Sequence, residues 1–281
     1  DNLYTIFEDE YKARRDVANN ATIIKDYITH TRTNNKNLLL EIDHVSQAYV
    51  LTGNEMGIVR GFQEELEQIE AGATELLDVI KENAQPYSLL GKEVDTIIST
   101  LDDIEKNQVK ISNDLQNLRK QEKAAQDLAD TFDRDIRILK RYVEKRNLPG
   151  LPQAYLDKFF ATSERVQALF KELNKVKVNI DGVNHLVEVT TEDVSSLKDA
   201  TDELVDQARL AEDLMQYANR YKTTNERVAK SIARAYQLFE RDRNYLASFE
   251  EISTVLDEVE PGATERISNV YHNTKVTPDY R

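Results

Sequence analysis

Residues 90–143 read LGKEVDTIISTLDDIEKNQVKISNDLQNLRKQEKAAQDLADTFDRDIRILKRYV, and one regularity inside them decides the fold. Positions 90, 94, 97, 101, 104, 108, 111, 115, 118, 122, 125, 129, 132, 136, 139 and 143 recur at alternating spacings of four and three. All are apolar except Gln108 and Glu122. A 3.5-residue apolar repeat sustained this long predicts one continuous helix whose seam is covered by other helices in a left-handed supercoil. At about 1.5 Å of rise per residue the seam is on the order of 80 Å long. That exceeds the span of one bundle, so the helix is expected to serve two bundles in succession.

On the N-terminal side, the segment from Asn2 to Leu51 contains neither Gly nor Pro. Val17, Ala21, Ile24, Ile28, Thr31, Asn35, Leu38, Ile42, Val45 and Tyr49 again alternate in fours and threes, which predicts a single long helix. Thr31 and Asn35 interrupt its seam and are expected to be hydrogen-bonded, register-setting residues inside a bundle. The stretch Thr52–Gly57 carries turn chemistry. A second helix is expected beyond it, with Ile58, Phe62, Leu66, Ile69, Ala73, Leu76 or Leu77, and Ile80 on one face. Pro86 marks the entrance to the long helix, where a missing N–H is harmless. Three antiparallel helices result, each with an apolar stripe too narrow to be stable alone.

On the C-terminal side, Arg146-Asn-Leu-Pro-Gly-Leu-Pro152 is the strongest helix breaker in the chain. Phe159, Thr162, Val166, Leu169, Leu173, Val176 and Ile180 then predict a helix ended by Asp181-Gly182. A third follows through Val187, Thr190, Val194, Leu197, Thr201, Leu204, Ala208, Ala211, Met215 and Ala218. The remaining chain reads as short helices, with Thr224 or Asn225 as a cap, 241–244 as a turn, and Pro261-Gly262 opening the last helix. The expected architecture is all-α: an elongated rod of spectrin-like three-helix repeats over 1–115 and 116–223, sharing the long helix 87–146. A helical hairpin subdomain over 224–272 and a disordered tail over 273–281 complete it.

Composition bounds the function. The 281 residues carry a formal net charge of −14, which argues against nucleic-acid binding as the main task. With no cysteine, disulfides and thiolate chemistry are excluded. The four histidines, His30, His44, His185 and His272, are scattered, and neither a glycine-rich phosphate loop nor a nucleophile elbow is present. No catalytic, cofactor-binding or metal site is therefore expected, and the chain does not read as an enzyme. No transmembrane stretch is seen. The opening on Asp1, directly in helical pattern, is what an excised piece of a longer protein would show.

Three stretches carry a resemblance. Arg141-Tyr-Val-Glu-Lys-Arg-Asn-Leu-Pro-Gly-Leu-Pro-Gln-Ala-Tyr155 with Phe159-Phe160, then Gln216-Tyr-Ala-Asn-Arg-Tyr-Lys222, then Asp257-Glu-Val-Glu-Pro-Gly-Ala263, resemble in order and spacing the EzrA septation ring regulators of Gram-positive bacteria. The resemblance implies the C-terminal half of the cytoplasmic region of such a protein, anchored at the membrane by an N-terminal helix absent from this chain. It further implies regulation of the tubulin-like division protein FtsZ at the septum, alongside other division proteins, with self-association left open. The family's QNR patch maps onto Gln216, Asn219 and Arg220, whose i, i+3, i+4 spacing would put an amide pair and a guanidinium on one helix face. Tyr217 and Tyr221 flank it, as core-edge packing or as interface contacts. The alternative from another class is the helical rod of a Gram-positive surface or adhesin protein.

Overall fold

Breaks in the apolar repeat divide the chain into helices. A computed structural model describes residues 2–82 and 87–280. Eight α-helices run among the described residues: α1 (Asn2–Ala48), α2 (Glu55–Glu82), α3 (Tyr87–Glu144), α4 (Gln153–Leu173), α5 (Ile180–Ala218), α6 (Glu226–Glu240), α7 (Tyr245–Val259) and α8 (Ala263–Thr274). The expected entrance at Pro86 lies outside the described residues. The chain divides into two compact units, one of residues 1–123 with 175–180, the other of 124–174 with 181–281.

In the first unit, α1, α2 and the front of α3 share one apolar core. Val17, Ile24 and Ile28 meet Leu66, Ala73 and Leu76 and, from α3, Leu90, Val94, Leu101 and Ile104. The nine seam positions of α1 are buried, Thr31 and Asn35 included, and so is Tyr49 just beyond its end. Gln108 explains those two. Its Nε2 donates to Thr31 O at 3.1 Å and to Asn35 Oδ1 at 3.2 Å, and Asn35 Nδ2 donates to Val59 O at 3.0 Å. One polar layer thus ties all three helices at a single register. On α2 the core position is Val59, while Ile58 is exposed. Helix α2 begins at Glu55 after Asn54 adopts φ 53°, and that start turns Val59 rather than its neighbour inward.

The largest departure from the heptad reading is the end of α4. The sequence predicts a helix through Val176 to Ile180, but α4 stops at Leu173 and Asn174 caps it. Beyond it, residues 175–177 bend instead of adding a helical turn, and the β-branched Val176 and Val178 lower the helix propensity there. Val178 forms a parallel bridge with Tyr49, its N–H donating to Ala48 O at 2.9 Å and its carbonyl accepting from Val50 N at 2.9 Å. Val178 is 4% exposed and Val176 is 92% exposed, so the heptad assignment of Val176 to a core is corrected. Asp181 and Gly182 open α5 instead of closing α4.

In the second unit the rear of α3 packs with α4 and α5. Lys198 of α5 pairs with the buried Asp135 of α3 at 2.6 Å, and Tyr155 of α4 meets Thr201 of α5 at 3.0 Å. Helices α6 and α7 form a hairpin, with Asn225 and Asn244 accepting from backbone N–H groups as N-caps. Residues 224–272 fall within the second unit, where the Tyr245 hydroxyl donates to Gly150 O in the Pro-Gly-Leu-Pro breaker. The segment read as a disordered tail is helical to Thr274 and packed beyond it. Lys275 pairs with Asp206 at 3.0 Å, Val276 O accepts from the Tyr142 hydroxyl at 3.4 Å, and Lys198 Nζ lies 4.2 Å from the Tyr280 ring centroid. These contacts use side chains about 70 to 135 positions away in sequence, which local disorder signals cannot register.

Candidate functional site

The residues singled out from sequence lie where α5 ends. Ala218 closes the α-helix and is fully buried, and Asn219–Tyr221 continue as one turn of 3-10 helix. The expectation of one α-helical face is thereby corrected. Gln216 sits on the last α-turn, whereas Asn219 and Arg220 sit on the tighter turn, in which residues three apart lie over one another. Gln216, Asn219 and Arg220 are all exposed, and Tyr217 and Tyr221 are half-buried.

What fixes this corner is Glu260. It follows α7 and caps it, its N–H donating to Leu256 O, just before Pro261-Gly262 turns the chain with Gly262 at φ 80°. The Tyr217 hydroxyl donates to Glu260 at 2.9 and 3.0 Å to its two oxygens, and the Tyr221 hydroxyl donates at 2.6 Å. Arg266 of α8 completes the cluster, donating to Tyr217 Oη at 3.1 Å and pairing with Glu260. The guanidinium of Arg220 stacks on the outer face of Tyr217, 3.5 Å from the ring centroid. The tyrosines are therefore neither simple core packing nor free contacts: they are struts that hold the α5 end against the α7–α8 corner.

The electrostatics follow from these bonds. Hydroxyl donation from Tyr221, then Tyr217, with Arg266 adding to it, holds the Glu260 carboxyl below its ordinary range. The same bond to Glu260 pushes the Tyr221 hydroxyl up. The arrangement presents an amide pair and a stacked guanidinium outward on a braced platform, suited to hydrogen-bonded recognition of a protein surface. The sequence reading missed Glu260 and Arg266 as parts of the site. Glu260 was legible to the extent that it lies in the Asp257–Ala263 stretch quoted above, whereas Arg266 carried no signal.

Among the described residues no group of three or more His, Asp or Glu side chains is placed to hold a metal ion. Among them, no helix is long and apolar enough to cross a membrane.

The family model for septation ring formation regulator, EzrA, matches residues 1–271. The chain belongs to the EzrA family. It is 58% identical over 278 residues to the EzrA of Lactococcus lactis subsp. lactis (strain IL1403) and 59% identical over 278 residues to that of Lactococcus lactis subsp. cremoris (strain MG1363). It is 40% identical over 279 residues to the EzrA of Enterococcus faecalis (strain ATCC 700802 / V583). Each alignment covers 99% of this chain and 48% of the relative, so the chain spans about half the length of the relatives it matches. No solved structure matches the chain. The description these relatives share names a regulator of septation ring formation.

Proposed function

We propose that this chain is a non-enzymatic scaffold of cell division that modulates assembly and placement of FtsZ filaments, held at the cytoplasmic face of the membrane by a segment outside it. The observation that carries the reading is the family match over residues 1–271, joined to an exposed patch whose platform is built from a second matching stretch, Asp257–Ala263. The proposed mechanism is geometric. Three-helix units of spectrin-like type, sharing α3, set the separation between the anchor and the docking surfaces, and Gln216, Asn219 and Arg220 form one such surface. Bracing matters because an interface side chain already held in place loses less conformational freedom on binding.

Co-sedimentation with GTP-assembled FtsZ tests this, with a Gln216→Ala, Asn219→Ala, Arg220→Ala variant of equal helicity alongside. The parent chain is expected in the polymer pellet and the variant in the supernatant. Equal pelleting of both would move FtsZ docking off the patch, and no pelleting of either would remove FtsZ from this part of the protein.

A further inference from the structure

Next to the braced corner, the second unit carries a surface whose charge runs against that of the chain. A cleft of about 810 Å³ opens between α5 and α8, and a smaller one of about 420 Å³ adjoins it, the two sharing Arg146 and Val276 in their walls. Six cationic side chains line them: Arg141, Lys145, Arg146, Arg209, Arg266 and Lys275. Only two carboxylates do, Asp213 and Asp279. In a chain with 37 basic against 51 acidic residues this inversion is local and specific.

The six cations differ in state. Arg209 is held by Asp213 at 3.3 Å and Glu212 at 3.6 Å, Lys275 by Asp206, and Arg266 by Glu260, so these three are positioned and partly neutralised. Arg141, Lys145 and Arg146 have no carboxylate partner among the described residues and supply the excess positive charge. Arg146 is itself oriented, stacked on the Tyr142 ring at 4.8 Å and donating to its hydroxyl at 3.1 Å. Between the charges lie apolar groups: Ile267 and the exposed Val270 and Val276 in the larger cleft, Ile138 in the smaller. None of Gln216, Asn219 and Arg220 lines either cleft.

From this we infer that the paired clefts are a docking site for an acidic peptide segment of a partner protein, one in which Asp or Glu alternates with apolar side chains. Arginine clusters recognise carboxylates by forked, charge-assisted hydrogen bonds, and the valines and isoleucines take the intervening side chains. A nucleic acid would present phosphates without apolar groups and would meet a net charge of −14 on the rest of the chain. A lipid surface is flat, and these cations line concave walls. Tyr217 and Arg266, which brace the patch, also line the larger cleft, but the inference does not rest on the FtsZ docking proposed above.

Fluorescence anisotropy of a fluorescein-labelled synthetic peptide, in which Glu and Asp alternate with Leu and Phe, tests the inference on the full chain. Saturable binding at 50 mM NaCl is expected, weakening as salt rises. An Arg141→Ala, Lys145→Ala, Arg146→Ala variant is expected to bind at least tenfold more weakly at unchanged helicity, and so is the single Val270→Ser variant. Absence of saturable binding would overturn the proposal. So would affinity within twofold in the triple variant, or equal affinity for a Glu-Gly peptide lacking apolar side chains. Binding to vesicles with 30% phosphatidylglycerol but not to the peptide would assign the surface to lipid and overturn it as well.

Discussion

Replacing Asn35 and Gln108 by leucine, singly and together, probes the polar layer of the first unit most directly. Thr31, Asn35 and Gln108 are 0%, 2% and 4% exposed, so water cannot replace a lost partner. In Asn35→Leu, one N–H of Gln108 keeps Thr31 O and the other loses its acceptor. In Gln108→Leu, Asn35 Oδ1 loses the donor it had. A stranded buried polar group costs about 1–3 kcal/mol, partly offset in each case by the added apolar burial. The double variant strands neither side chain, and it also removes Gln108 Oε1, which has no hydrogen-bond partner among the described residues. The sum of the singles carries two such costs and the double variant neither, so the double is expected to be more stable than that sum by about 2–6 kcal/mol. Urea unfolding followed by helical circular dichroism measures the cycle, and hydrogen exchange of α1 and α2 amides assigns the change to the first unit. The double variant is also expected to lose uniqueness of register, seen as broadened α1 amide signals, because nothing polar then distinguishes one heptad alignment from the next. Additivity of the two singles within about 0.5 kcal/mol would refute the reasoning.

Three further outcomes are expected. Leu101→Ala, at a fully buried core position, should destabilise the first unit by about 2–5 kcal/mol in the same urea assay. Val178→Pro removes the N–H that donates to Ala48 O, and hydrogen exchange should show faster exchange at Val50 while the α6–α7 hairpin is unaffected. The Glu260 brace should depend on pH at both ends. The carboxyl titrates below its ordinary value, so its contribution is complete above about pH 5 and is lost as pH falls through the lowered folded value. The Tyr221 hydroxyl titrates above its ordinary value, so its contribution is present at neutral pH and is lost as pH rises through the raised folded value. Hydrogen-exchange protection at residues 216–222, taken relative to the intrinsic rate at each pH, should be flat between those limits and fall beyond each, and Glu260→Gln should abolish the acidic step.

Much of the helical organisation was legible because heptad seams are a local, periodic signal. Every seam residue of α1 is buried, and the polar interruptions at Thr31 and Asn35 find the hydrogen bonds expected of them. The reading failed where the heptad outlasts its helix. Val176 satisfies the repeat, yet α4 stops at Leu173 and Val178 is held by its bridge to Tyr49, a partner that periodicity does not register. Nor does periodicity register partners far away in sequence, such as Asp206 for Lys275 or Gly150 for Tyr245. At the candidate site, the resemblance to the EzrA family pointed to Gln216, Asn219 and Arg220, all of them exposed. It could not foresee that the α-helix ends at Ala218, nor that Arg266 would reach back to Tyr217.

The pairing of Val178 with Tyr49 also bears on how the protein is made. The first compact unit takes most of its residues from 1–123, but its last piece is 175–180. At synthesis rates of about 5–20 residues per second, that piece leaves the ribosome several seconds after the rest of its unit. Through that interval the backbone groups of Ala48 and Val50 wait for a partner still being translated. The nascent chain therefore completes its first unit only after α4 has emerged, and synthesis order and structural order cross at this one two-residue stitch.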